Sequence, residues 1–562
     1  MLADDPARLL AQQEMGQMQP EGLAGTAVAL DQAAGARRET QRTRAVQDFL
    51  VGLFNEADPA RAQGREPTVR DLMARGEREL HARLAAEPDL NAALSGVLVD
   101  LYMKLGDGKR ALPLAEARRD LLARSQGHGS LAHARALLTL ADVQKTLGQH
   151  EVSLATLASA RPLLEAHGHE AADDLMTLRL SVADNLLDLN RYAEGRQALL
   201  AELPTQIRRH GDNSFEVAMT RVRIATSLAS EGRHAEATQA LHELEPLLDR
   251  EWRTEGMGAA TLRADVGYTQ WQMRLFPEAV RTLDRAIAEL DRLAGPDNTS
   301  SIQASRTLGM ALMDSGDYRR ADEVFGRNVE RSRRFYGAED SETALNLSFQ
   351  VMTLNRVARA SEAEAAARES VRLASRPGTT LSASVVRGVR RRLGSALLAN
   401  GKPAEALREL DEVSAQEVAA GQTDTRHAAT LMLRAGALNA LGRGREGAQA
   451  AEEAVEAWGA AGASLGAAGQ IGVARAQLNA ALGWLVAAQP ARAEPLIVSA
   501  ERLLREHHAA PHPEQQLASL ARAQWLRSVG RPAEADTLER AARTRYRELS
   551  GAEAPQPLRF VL

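Results

Sequence analysis

Few residues in this chain have a type and spacing that could do chemistry. The stretch GRGREG, Gly442 to Gly447, fits the G-x-G-x-x-G pattern whose backbone cradles phosphate. Such a loop should follow a strand, and the pattern before this one is helical. Histidines group as GHG around His128, as HGH at His167 and His169, and as HHAAPHP at His507, His508 and His512. A zinc site needs about four converging ligands. These groups fall between periodic segments, where a solvated imidazole is the ordinary state, so no metal and no cofactor is expected. No G-x-x-x-x-G-K-[ST], H-E-x-x-H, H-R-D or D-F-G stretch occurs. The absence of cysteine removes disulfides, thiolate metal sites and cysteine nucleophiles. The expectation is a chain that is not an enzyme.

The elements that position these residues follow from composition and spacing. At 562 residues the chain exceeds what one core can serve, so it is several domains or a repeat array. Hydrophobic residues make up 44% and aromatics only 3%, which means Ala, Leu and Val, the residues of closely stacked helices. A net charge of −5 points away from nucleic acid. The start, MLADDPARLLAQQEMG, lacks the basic and apolar regions of a secretory signal. Gly22 to Ala36 is apolar, but it is short for a membrane span and holds Asp31. A soluble, cytoplasmic protein without stable membrane insertion is expected, with the periplasmic face as the alternative should a membrane-spanning kinase precede it.

An internal repeat organises the rest. Turn phrases align on Gly106, Gly148, Asn190, Gly232, Arg274, Gly316, Ala358, Gly401, Gly442, Ala488 and Gly530. Successive anchors are 42 residues apart, apart from gaps of 43, 41 and 46 towards the end. Five residues after each anchor the residue is small, from Ala111, Ser153 and Gly195 through to Ala535. Seven before it stands another small or nearly small column, including Val99, Ala141, Ala183, Gly267, Gly309, Val351 and Gly394. Two small columns flanking a Gly-centred turn let the two helices of a hairpin approach closely. Gly or Asn at the anchor suits a left-handed helix end. Pro277, Pro403 and Pro532 suit the first turn of the helix that follows.

With SGDYRRA, NGKPAEA and VGRPAEA in register, the chain resembles a tetratricopeptide (TPR) array with 42-residue repeats of the kinesin-light-chain kind. The resemblance implies an all-α TPR-type solenoid, a right-handed superhelix of about eleven helix hairpins with an N-terminal capping hairpin. The expected organisation is a 1–43 N-terminal segment, a 44–88 capping hairpin, an 89–547 array and a 548–562 tail.

In TPR folds the first helix of each hairpin lines the concave groove. By resemblance, the residues 10, 6 and 3 before each anchor form the ligand surface. Asp100, Asp142 and Asp184 open the middle column, and with helices about 8–10 Å apart they should stand roughly 15–20 Å from one another, suited to an extended cationic peptide. Further along, Tyr268, Trp271, Arg306, Met310, Met313, Met352, Asn355 and Arg391 combine aromatic, Met and Arg types enriched in binding hot spots. The competing readings are that Met, Tyr and Trp fill core, that the Asp series is solvated or locally paired, and that RGVRRR, Arg387 to Arg392, is solvated at a helix start rather than clamping an acidic partner.

The stretch RAVQDFLVGLFNEADP, Arg44 to Pro59, followed by GREPTVRDLMARGEREL, resembles the segment that opens the TPR region of bacterial serine/threonine protein kinases. Kinase residues are absent, so no catalytic role is carried over. Val46, Phe49, Leu50, Leu53 and Phe54 form one helix face, read as the lid on the first repeat. The expected function is a noncatalytic TPR scaffold or sensor that binds a protein or peptide, in kinase-linked signalling. The alternatives are the detached regulatory half of such a kinase and a peptide-responsive regulator. The oligomeric state is left open.

Overall fold

The computed structural model describes residues 73, 76–78, 88–104, 107–244, 256–379, 381–508 and 511–555. The N-terminal segment, the apolar stretch Gly22 to Ala36, most of the capping hairpin and the anchor Gly106 lie outside them. Contacts divide the chain into two units that meet between Asn185 and Leu186.

Among the described residues every regular element is helical, and the helices come as eleven successive pairs. The first unit holds α1 Pro88–Lys104 with α2 Gly108–Gln126, then α3 Leu131–Thr146 with α4 His150–Ala166. The unit boundary falls within α5 Ala172–Asp188, which is followed by α6 Tyr192–His210. The second unit continues with α7 Phe215–Ser230 and α8 His234–His242, α9 Gly256–Gln272 and α10 Phe276–Ala294, α11 Thr299–Ser315 and α12 Tyr318–Phe335. Next come α13 Ser341–Arg356 and α14 Ala360–Ala374, then α15 Ala383–Ala399 and α16 Pro403–Ala419. The last three pairs use α17 Thr425–Ala440, the double helix α18 Gly444–Val486, α19 Pro490–His507, α20 Pro513–Ser528 and α21 Pro532–Ser550. This is the all-α, TPR-type hairpin array that the 42-residue spacing predicts.

Each described anchor has positive φ, and the four that are not glycine, Asn190, Arg274, Ala358 and Ala488, are the only non-Gly residues described there. A left-handed residue lets the next N–H reach back five residues to an orphan carbonyl, as Arg359 N does to Leu354 O at 2.9 Å and Lys402 N to Leu397 O at 2.9 Å. Asp107 N makes the same bond to Tyr102 O at 2.8 Å.

The small columns pack as expected and reveal a rule not visible in either alone. Sixteen residues after Gly267, Gly309 and Gly394 come Leu283, Phe325 and Leu410. A Cβ on those glycines would lie 2.6, 2.5 and 2.6 Å from the partner side chain. Where the first position is instead Val99 or Val351, the partner in the same cluster is Ala115 or Ala367. Bulk on one helix is matched by its absence on the other, which keeps the interhelix volume filled.

Two details of the array are not given by the repeat spacing. The 46-residue gap before Ala488 is not taken up by a loop: α18 runs on from the ninth pair into the tenth, kinked at Gly466 (φ 52°, ψ −127°). The final helix reaches Ser550, and Ala552 and Ala554 beyond it are buried. At the other end Met73 is buried in one cluster with Leu94, Leu98, Val99 and Tyr102, and the face from Val46 to Phe54 that was read as a lid lies outside the described residues.

The volume rule is testable in urea melts. Gly309→Val should destabilise by about 1–3 kcal/mol and Phe325→Ala by about 3–5 kcal/mol. The double variant recreates the Val351/Ala367 pairing and should lose less than the sum; strictly additive losses would refute complementarity. Because a left-handed non-Gly residue costs roughly 1–2 kcal/mol, Ala358→Gly should raise the melting midpoint by the equivalent of about 0.5–1 kcal/mol.

Candidate functional site

In the second unit the first helices of successive pairs pack on one another, α9 on α11, α11 on α13, α13 on α15 and α15 on α17. These first helices carry the three columns that were expected to line the inner face. Tyr268 is 37% exposed, stacked at a tilt 5.5 Å from Trp271. Met310 and Met352 are half-buried. The remaining candidates are committed to neighbours. Trp271 Nε1 donates to Asp314 at 2.8 Å. Arg306 is held by Glu342 at 2.8 Å and Asn346 at 3.1 Å. Arg391 donates to Glu417 at 3.2 Å and to the Arg426 carbonyl at 3.2 Å. Asn355 is buried and donates to Ser395 at 3.0 Å, its own Oδ1 left without a partner.

The Asp series belongs to the first unit. Asp100 is exposed. Asp142 and Asp184 both reach Lys145 Nζ, at 3.3 and 3.6 Å. They therefore lie far closer than the roughly 15–20 Å that helix spacing suggested, since both side chains extend to a shared cation. Local pairing, here with a lysine, accounts for two of the three carboxylates.

A feature with no trace in the repeat is a closure within the second unit. Residues 316–318 and 356 meet 508–514 and 546. Tyr318 is buried in one cluster with Leu517, Ala521, Tyr546 and others, and Met313 and Val357 pack against it. A Cβ on Gly316 would fall 2.6 Å from Pro513. Tyr546 Oη donates to the Arg356 carbonyl at 3.4 Å, across 190 residues of chain. Arg356 Cζ stands 5.6 Å from the Tyr318 ring centre.

The polar heart of this closure is Glu514. It accepts two bonds from Arg475, at 2.6 and 3.2 Å, with Arg356 at 3.5 Å and His508 at 3.3 Å. Burial alone would raise its carboxyl, but Arg475, His508, His512 and Arg356 hold it well below the usual range. His512 caps α20, its Nδ1 accepting from Glu514 N at 3.2 Å, and stacks on His508 at 3.9 Å. His508 and His512 are thus buried, not solvated as their loop position suggested. Compositional reasoning missed them because nothing local in HHAAPHP shows that a distant pair covers it.

His508, His512 and Glu514 also bring one ligand atom each within 4.8 Å, close enough to consider a metal. Their chemistry argues otherwise. Accepting at Nδ1 leaves the His512 ring hydrogen on Nε2, and Glu514 already serves two guanidinium groups. A divalent ion would have to displace both. GRGREG is likewise spoken for: Cβ atoms on Gly444 and Gly447 would lie 2.4 Å from Gly483 O and 2.0 Å from Asn439 Oδ1, which leaves no room for phosphate. GASLG, Gly462 to Gly466, fits the serine pattern G-x-S-x-G, but helix precedes and follows it where that motif needs a strand.

The chain matches no protein-family model and no curated protein. Among solved structures it is similar to a Podosopora anserina putative kinesin light chain with nearly identical TPR-like repeats, 19% identical, TM-score 0.29, over 34% of this chain and 91% of that one. It is also similar to a Rap protein complexed with Competence and Sporulation Factor, 10% identical, TM-score 0.44, over 67% and 98%. The apo form of RapI is 14% identical, TM-score 0.40, over 74% and 98%. The class defined by the hairpins is a TPR-type helical array. Among the described residues no helix is long and apolar enough to cross a membrane.

The closure has a pH signature. Burial pushes His512 from 6.5 to about 3, with Glu514 opposing and His508, Arg475 and Arg356 adding to the shift. A base that stays neutral while closed takes up its proton on opening. The closed form therefore loses stability as pH falls below about 6.5, progressively down to about 3. Glu514 adds its own loss only below the ordinary carboxylate range. His512→Asn keeps a capping acceptor and removes the titration. Between pH 7.5 and 5 its melting temperature should fall less than that of the wild type; equal falls would show that His512 does not set the pH response.

Proposed function

We propose that the protein is a noncatalytic TPR scaffold that binds a protein or peptide along the inner face of its second unit. The observation that carries this reading is the group Tyr268, Met310 and Met352. These large side chains remain accessible on the face of α9, α11 and α13, while Trp271, Arg306 and Asn355 beside them are fixed by internal bonds. Rigid polar supports around adaptable apolar anchors are the makeup of a binding hot spot. The two phrases that resemble the TPR-opening segment of bacterial serine/threonine kinases support a place in kinase-linked signalling.

The test uses accessible side chains; the partners of Tyr268 are local, Gln272 Nε2 donating to its Oη at 3.0 Å and Trp271 stacking beside it. Proteins captured from the source cells by the immobilised full chain are compared with those captured by a Tyr268→Ala, Met352→Ser double variant. The variant should melt within a few degrees of the wild type and recover at least about tenfold less of a specific partner. Equal recovery of every captured protein would remove this face as the binding site.

A further inference from the structure

RGVRRR, Arg387 to Arg392, is the charged motif that repeat packing does not absorb. It lies within α15, and its guanidinium groups have different fates. Arg390 is held by Glu409 and Glu412, each at 2.5 Å. Arg391 is held by Glu417, and Arg387 donates to Gln422 at 2.9 Å. Arg392 donates to the Ser348 hydroxyl at 2.9 Å and lies 4.5 Å from the centre of the Phe349 ring. Among the described residues it has no carboxylate within ion-pair distance. Arg306 stands 5.7 Å from the same ring, but Glu342 matches its charge.

A half-buried cation without a counterion is uncommon, because buried charges are ordinarily paired. Burial, together with Arg391 and Arg306 nearby, pushes the Arg392 guanidinium down to about 9. Stacking on Phe349 leaves its N–H edge free, and one of five donors is used on Ser348. Ser348 completes its own bonding by donating to the Leu345 carbonyl at 2.8 Å. Met352 lies one turn further along α13, on the same side as Ser348. The seam between α13 and α15 thus offers unmet cationic donors next to an accessible apolar side chain.

We propose that Arg392, supported by Ser348 and Phe349, is an anion subsite on the inner face that takes a carboxylate of an acidic peptide segment. This rests on the scaffold reading above and narrows its ligand to an acidic one. A planar fork over an aromatic ring suits the two oxygens of a carboxylate, and the added charge relieves the repulsion from Arg391 and Arg306.

Fluorescence anisotropy with the full chain tests it, using fluorescein-labelled hexaglutamate, with labelled hexaglutamine for comparison and inorganic phosphate as competitor. Hexaglutamate should bind the wild type and hexaglutamine should not. Arg392→Gln should weaken hexaglutamate at least about tenfold. Arg281→Gln removes one exposed charge on α10 and should leave the affinity within about twofold. Should the Gln variant fold poorly, Arg392→Lys keeps the charge but not the fork, and should bind at least about threefold more weakly. Unchanged affinity in the folded Arg392 variants, or equal binding of hexaglutamine, overturns the proposal. So does phosphate that displaces the peptide at equal concentration, because the pocket would then be one for small anions. Loss of a partner in the Tyr268→Ala, Met352→Ser comparison together with unaltered hexaglutamate binding by Arg392→Gln would sink the anion subsite and leave the scaffold standing.

Discussion

A single left-handed residue at the end of the first helix in each described turn is the constraint on which the rest of the structure depends. It turns the chain sharply enough for the second helix to return along the first, and it lets the next N–H satisfy a carbonyl that the helix end would otherwise orphan. The close return then demands small residues where the backbones meet. Ala111, Ala237, Ala279, Ala321, Ala363 and Ala535 are all fully buried at that contact. The turn and the small columns are therefore one device, and at Asn190, Arg274, Ala358 and Ala488 the turn is made without glycine.

Because that device recurs every 42 residues, the hairpin array was legible in the sequence almost completely. The anchor column could be read because glycine, asparagine and the alanine behind it have backbone reasons to be there. The volume exchange between Gly309 and Phe325, or Val351 and Ala367, was not legible from single columns: it is a relation between positions, and each column read separately shows only variation. The kink at Gly466 was hidden for a similar reason. A four-residue excess in spacing does not say whether loop or helix takes it up, and here the helices on both sides continue through it.

The candidate site was legible in part. Residue type picked out side chains on the first helices, such as Tyr268 and Met352, that remain accessible, but type alone does not show which side chains are spent on internal bonds. Trp271 and Arg306 have the makeup of binding residues and serve Asp314 and Glu342. Arg392 was visible only as one of a run of arginines. What sets it apart is the carboxylate it lacks, and that depends on where Glu409, Glu412 and Glu417 point. The cluster of Tyr318, Glu514 and Tyr546 left no sign at all, since a periodic sequence encodes contacts with neighbours, and these residues meet partners several repeats away.

That last contact alters how this part of the molecule is expected to come together. A solenoid ordinarily folds by zippering from any point, each repeat answering only to the next. Joining Tyr546 to Arg356 adds a loop closure of 190 residues, whose entropy must be lost before its contacts form. The repeats between those ends are thereby tied into one cooperative block that resists fraying from its C-terminal edge. A fold built from local pieces acquires the slow final step of a protein with high contact order.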